Sequence, residues 1–197
     1  AALPGPVARL EQAVQAPVLL SAAGYVRVGL DHFARADDPM AQALEAGALR
    51  RNFQGYTTDD AEVLLGLGAS AIGRLPQGFV QNAAQEVTWR AAVAAGRLPV
   101  ARGAELTADD RFRGEIIERL MCDLSVDLEA VCRKHRRVLA DLAGDIEALA
   151  PFLADGLVRL EGARLRVVGD GRLVVRSVCA AFDTYFAPEA GRHSRAL

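Results

Sequence analysis

Apolar residues in "PVARLEQAVQAPVLLSA" (6–22) recur every three to four positions, which predicts a helix that Pro17 kinks or divides and Gly24 ends. "YVRVGL" alternates and is rich in strand formers. "DDPMAQALEAGAL" predicts a helix with Asp38 as its cap, Pro39 in its first turn and Gly47 as its stop. "NFQGYTT" follows as a loop or short strand. The glycine-rich run "AEVLLGLGASAIGRL" predicts a buried strand and turn, with "GFVQN" as the return strand and "AAQEVTWRAAVAAG" as a helix closed by Gly96.

The pattern changes near "LPVARGAELTADD". Thr107 and Asp110 form a capping-box pair, opening a helix to about Met121. "SVDLEAVCRKHRRVLADLAGDIEALAPFLADG" carries two more helical stretches, and "LVRLEGARLRVVGDGRLVV" predicts a two-stranded hairpin about Glu161–Gly162. An apolar helix closes the module in "GRLVVRSVCAAFDTYF", and the last ten residues are a polar tail. Three helices, a two-stranded wing and a final helix make a winged-helix-like module. The expected domains are 1–102 and 103–197, and the class is α+β, mostly helical. No internal repeat is present.

The 197 residues are 51% hydrophobic with a net charge of −2, enough for a buried core and too little basic excess for a general nucleic-acid or membrane-surface binder. Lys134 is the only lysine, so the basic residues are nearly all Arg. No apolar run reaches the ~18 residues of a membrane span. The start "AALPGPVARL" lacks the features of a signal peptide. Without an initiator Met, the chain is expected to be a piece of a longer, cytoplasmic protein. Cys122, Cys132 and Cys179 are too widely spaced for a CxxC pair or a metal cluster and are expected as small buried hydrophobes.

Four polar groups invite a functional reading. Asp31–His32 suits a general base or metal ligand, but a lone His without a second ligand favours a hydrogen-bonded His that fixes a loop. Phe53, Gln54 and Tyr56 suit a small-molecule pocket, or a structured loop turning at Gly55. "GLGASAIG" is not a dinucleotide fingerprint; its glycines suit close approach of a ligand or another strand. The basic cluster "RKHRR" (133–137) suits a DNA-reading helix, but Asp123, Asp127, Glu129 and Asp141 offset it and favour a solvated face. No Ser/His/Asp set, carboxylate pair or Cys nucleophile stands out, so no catalytic residue and no metal ligand is assigned to this chain.

"GLDHFA", "RRNFQGYTT", "LLGLGASAIG" and Gln81–Asn82, followed by "ELTADDRFRGEIIERLMCDLSVDL", "LADGLV", "GRLVVRSVCAAFDTYF" and the final "SRAL", give the chain its resemblance to a known family. From about residue 24 onward it resembles the C-terminal part of oxygen-independent coproporphyrinogen III oxidase, a radical S-adenosylmethionine (radical SAM) enzyme of heme biosynthesis. The resemblance implies the end of a radical SAM barrel or sheet followed by the winged-helix-like C-terminal domain. It implies a [4Fe-4S] cluster and two molecules of S-adenosylmethionine. In that chemistry a 5′-deoxyadenosyl radical takes hydrogen from a propionate β-carbon, carbon dioxide leaves, and an electron passes to an acceptor. Two propionates of coproporphyrinogen III become vinyls, giving protoporphyrinogen IX. The family's cofactor contacts map to Gln54 and Ile72, with Phe53 in the same stretch. Arg50 stands where the family commonly has His. The family's CxxxCxxC motif is expected upstream of this chain, which alone should be inactive. Coproporphyrinogen III is the expected partner, with no nucleic acid or membrane, and the protein is expected to be a monomer. The alternative is a heme- or porphyrin-binding module related to the radical SAM heme chaperones, with His32 or His193 as axial ligand.

Overall fold

In the computed structural model, residues 4–186 are described. Helix α1 (Pro6–Ala22) is unbroken, with Pro17 inside it and Gly24 just beyond it at φ 87°. Strands β1 (Tyr25–Val28) and β2 (His32–Arg35) pair antiparallel as a hairpin, and helix α2 (Pro39–Glu45) follows. The Asp38 side chain accepts the Met40 N–H at 2.8 Å, the expected N-cap. Two short strands, β3 (Arg50–Arg51) and β4 (Tyr56–Thr57), pair across a tight turn. Next come β5 (Ile72–Leu75), β6 (Gly78–Asn82), α3 (Glu86–Ala94) and β7 (Val100–Glu105). The rest is α4 (Ala108–Asp123), β8 (Ser125–Asp127), α5 (Leu128–Lys134), a 3-10 turn at Leu139–Leu142, α6 (Ala143–Ala148), α7 (Ala150–Ala154), β9 (Val158–Glu161), β10 (Arg164–Val167), a second 3-10 turn at Gly169–Val174 and α8 (Val175–Ala180).

Packing divides the described chain into two compact units: the residues up to Thr58 with those from Phe112 onward, and Asp59–Arg111. The first unit has two apolar clusters. In one, Phe112, Ile116, Leu120 and Met121 of α4 pack with Leu128, Leu142, Leu149, Leu165, Val175 and Phe182. In the other, Val28, Leu49, Tyr56 and Cys122 pack together, with Ala34 and Ala41 beside them. Cys122 thus joins residues from the first third of the chain, although its sequence position is in the module that begins near residue 103.

From α4 onward the order is helix, strand, helices, then two strands, with the sheet ordered β8-β10-β9. This is the winged-helix-like arrangement expected, with one correction. The wing is three-stranded, because Ser125–Asp127 pairs with Arg164–Arg166. The hairpin turns at the expected place, with Gly162 at φ 61°. The Thr107–Asp110 box also forms: Asp110 Oδ2 accepts the Thr107 N–H at 2.8 Å, and Thr107 Oγ1 accepts the Asp110 N–H at 3.1 Å.

In the second unit β5, β6 and β7 form an antiparallel sheet. The run before β5 is not the buried strand its composition suggests. Only Leu64 bridges to Arg74, while Leu65 is 71% and Leu67 91% exposed. Backbone contact, rather than side-chain burial, holds this run: a side chain on Gly66 would meet the Ile72 backbone at 2.9 Å, and one on Gly73 the Leu64 carbonyl at 2.8 Å. The polar tail, "SRAL" and His193 lie outside the described residues.

Candidate functional site

The turn between β3 and β4 is built by Asn52. Its Oδ1 accepts the N–H groups of Gln54 (2.9 Å) and Gly55 (3.2 Å), and its own N–H donates to the Gly55 carbonyl at 2.9 Å. Gly55 completes the turn at φ 142°, a conformation open to glycine. The turn therefore has its backbone satisfied internally and presents its side chains outward. Phe53 is 54% exposed, and Gln54 is exposed with no hydrogen bond from its side-chain amide among the described residues.

Helix α4 anchors this turn. Glu118 Oε1 accepts from the Arg51 N–H at 3.3 Å and from Arg50 Nε at 3.2 Å. Arg119 donates to the Leu49 carbonyl at 2.7 Å, to the Gly47 carbonyl at 3.2 Å and to Asp123 at 2.7 Å. Arg50 is thus an anchor for the strand rather than a group pointing away from the protein. Asp123 is nevertheless held above the ordinary carboxylate range, because burial outweighs Arg119, and its Oδ1 has no partner.

Asp31 and His32 come up beside the turn. His32 Nδ1 lies 2.8 Å from Asp31 Oδ1, and the ring stands edge-on to Tyr56 with centroids 5.0 Å apart. A side chain at Gly55 would sit 3.6 Å from His32 Nε2. These contacts favour the loop-fixing role. Among the described residues no group of three or more His, Cys, Asp or Glu side chains is placed to hold a metal ion.

Ile72 begins β5 in the second unit, half-buried and paired with Gln81. Gln81 and Asn82 staple the loop that precedes it. Gln81 Nε2 donates to the Ser70 carbonyl at 2.9 Å, and the buried Asn82 amide donates to the carbonyls of Gly66 (2.9 Å) and Gly68 (3.0 Å). Gly66 and Gly73 of "GLGASAIG" serve this close backbone packing, whereas Gly68, with open space around it, supplies a positive φ of 101°.

Four of the five residues of the basic cluster make contacts within the fold. Lys134 Nζ and His135 Nε2 reach the two oxygens of Glu115 at 2.8 and 2.7 Å, Arg133 lies 3.5 Å from Glu129, and Arg137 lies over the Phe112 ring. Cys122, Cys132 and Cys179 are free and buried. Burial pushes the thiols of Cys122 and Cys179 up to about 12, the reverse of what a thiolate ligand requires. Sequence reading missed Asn52, Glu118 and Arg119 as builders of the site, and placed Tyr56 in the pocket wall rather than as the buried tie it is. Of these only Asn52, three residues before a glycine, carries a local signal.

Residues 106–174 match the HemN C-terminal domain. The oxygen-independent coproporphyrinogen III oxidase of Bradyrhizobium diazoefficiens is 53% identical over 196 residues, covering 100% of this chain and 44% of that protein. The enzyme of the same name from Escherichia coli is 37% identical over 189 residues, 95% of this chain and 41% of its own length. A solved structure described as coproporphyrinogen III oxidase (HemN) from Escherichia coli, a radical SAM enzyme, matches with a TM-score of 0.87 at 37% identity, covering 93% of this chain and 43% of the other. The chain spans less than half the length of these relatives. Residues 106–174 are thus similar to a HemN C-terminal domain, and nearly the whole chain is similar to part of the oxygen-independent coproporphyrinogen III oxidases.

Proposed function

We propose that this chain acts as the C-terminal part of an oxygen-independent coproporphyrinogen III oxidase, in a protein that converts two propionates of coproporphyrinogen III to vinyls. Each propionate gives up one β-hydrogen, one carbon dioxide and one electron, the electron going to an acceptor. S-adenosylmethionine, two molecules of it, together with a [4Fe-4S] cluster held elsewhere in the protein, would supply the hydrogen abstraction. The domain division proposed is 1–102 as the end of the catalytic domain and 103–197 as a cover domain.

The observation that carries this reading is similarity across nearly the whole chain, 53% identity to one relative and a TM-score of 0.87 to a solved structure. The residues fit the cofactor's chemistry. The Asn52 turn leaves the Gln54 amide without an internal partner, so it offers both a donor and an acceptor to a methionine or ribose group. Phe53 adds exposed aromatic surface, and in the second unit the half-buried Ile72 offers an apolar side chain suited to the same ligand. This chain's share of the work is to bind and orient; proton and electron movements belong to groups elsewhere.

The test uses the full-length protein under anaerobic conditions. Gln54→Ala and Ile72→Asp should each raise the KM for S-adenosylmethionine by roughly tenfold, the value of one charge-neutral polar or packing contact or slightly more. Normal coproporphyrinogen III turnover by the double variant would sink the cofactor assignment.

A further inference from the structure

Arg172 lies in the 3-10 turn Gly169–Val174, next to α8. Its Nε is buried and finds no hydrogen-bond partner, and the side chain makes no ion pair among the described residues. A guanidinium stays charged at neutral pH and carries five donors, so leaving its buried Nε–H unpartnered is costly. The turn that holds it is tightly built. Gly171 packs against the Leu157 carbonyl with no room for a Cβ, and the Val168 N–H donates to that same carbonyl at 3.0 Å.

Among the described residues no charged group supplies Arg172 with a counter-ion. Burial pulls its pKa down to about 10; of the neighbouring charges, Arg27 pulls it further and the Tyr56 phenol opposes. Arg27 is spent on the Leu30 carbonyl, through Nη2 at 2.9 Å and Nε at 3.3 Å. Tyr56 Oη is also committed, accepting the Leu30 N–H at 2.8 Å and donating to the Met121 carbonyl at 2.9 Å. Asp31, the carboxylate that acts on Arg27, is engaged by His32. Arg27 and Arg172 thus act on one neighbourhood whose carboxylate, Asp31, is held by His32, and among the described residues no carboxylate pairs with Arg172.

We propose that Arg172, with Arg27 beside it, binds a carboxylate of a ligand. A planar guanidinium fixed by its backbone is suited to bidentate carboxylate recognition, and the second cation raises the local preference for an anion. The proposal rests on the function proposed above, which brings two carboxylate sources: a propionate of the tetrapyrrole and the methionine carboxylate of S-adenosylmethionine.

The experiment measures binding to the full-length protein, with coproporphyrin III followed by fluorescence and S-adenosylmethionine by calorimetry. Controls are coproporphyrin III tetramethyl ester and the decarboxylated analogue of S-adenosylmethionine. Arg172→Gln should weaken binding of one acid by roughly tenfold and leave its carboxylate-free control unchanged, with Arg172→Lys intermediate. Loss confined to coproporphyrin III assigns the site to a propionate, and loss confined to S-adenosylmethionine assigns it to the methionine carboxylate. Arg27→Gln, outside the tight turn, tests the same site should Arg172→Gln fail to fold, and should weaken the same acid. Wild-type affinity for both acids in Arg27→Gln and in every folded Arg172 variant overturns the site while leaving the proposed function standing. A wild-type protein that binds neither acid overturns both.

Discussion

The phenol of Tyr56 donates a hydrogen bond to the carbonyl of Met121 at 2.9 Å, across 65 positions of sequence. The same oxygen accepts the Leu30 N–H at 2.8 Å, so one buried side chain ties the β1–β2 hairpin, the β3–β4 turn and α4 together. Tyr56→Phe keeps the ring but leaves a buried N–H and a buried carbonyl without their partner. The expected loss is about 1–3 kcal/mol in a denaturant melt of this chain. An unchanged midpoint would show that the phenol bonds are replaced by water.

Gly29 and Gly47 separate two costs of a glycine. Both have positive φ, 55° and 65°. A side chain on Gly29 would fall inside the Tyr56 ring, whereas one on Gly47 meets open space. Gly47→Ala should cost about 1–2 kcal/mol, the backbone penalty alone, and Gly29→Ala about 2–4 kcal/mol, because displacing the ring adds to it. Equal melts for the two variants would refute the packing role.

The sequence was most legible where local chemistry decides structure. Asp38, Gly47, the Thr107–Asp110 pair and the Glu161–Gly162 turn all act where they were expected. It was least legible where partners are distant. Ser125–Asp127 is too short to show a period, and becomes a strand because Arg164–Arg166 lies alongside. Val100–Glu105 is exposed along its whole length, so it shows no alternation and owes its strand to pairing with β6. Leu65 and Leu67 misled in the other direction, since apolar character signals burial only where something covers the residue. At the site, the exposed Phe53–Gln54 turn was visible in the sequence, but Glu118 and Arg119, which anchor it from 67 and 70 positions away, were not.

Glu115 predicts the acid limb of the stability curve. Burial works to raise its pKa, but the hydrogen bonds from Lys134 and His135 and their charges together lower it below the usual 4.5. A carboxylate with a depressed folded pKa stabilises the fold above its unfolded pKa, and that contribution is lost as pH falls through the folded value. Urea melts of the wild type should therefore weaken below about pH 4.5. Glu115→Gln should be less stable at neutral pH and show a shallower decline in acid. A parallel decline in both proteins would assign the acid sensitivity to other carboxylates.

The alkaline limb should be governed by the buried thiols. Cys122 and Cys179 are held at about 12, against 9.0 for an ordinary thiol, chiefly by burial, and Tyr56 is raised above 10.0 for the same reason. An acid with a raised folded pKa holds its proton longer in the native state than in the unfolded chain. Its contribution is complete below the unfolded pKa and is lost as pH rises towards the folded one. Stability should thus fall from about pH 9 upward, toward the folded value of about 12. Guanidinium melts at constant ionic strength between about pH 7 and 11 would show it. Removing one thiol, as Cys179→Ala, should lower stability at neutral pH by about 1 kcal/mol, for a small cavity, while flattening the alkaline slope. Burial raises the Cys132 thiol as well, so an alkaline slope unchanged by Cys122→Ala, Cys132→Ala and Cys179→Ala would exclude the thiols and leave Tyr56, whose contribution begins to fall only above about pH 10.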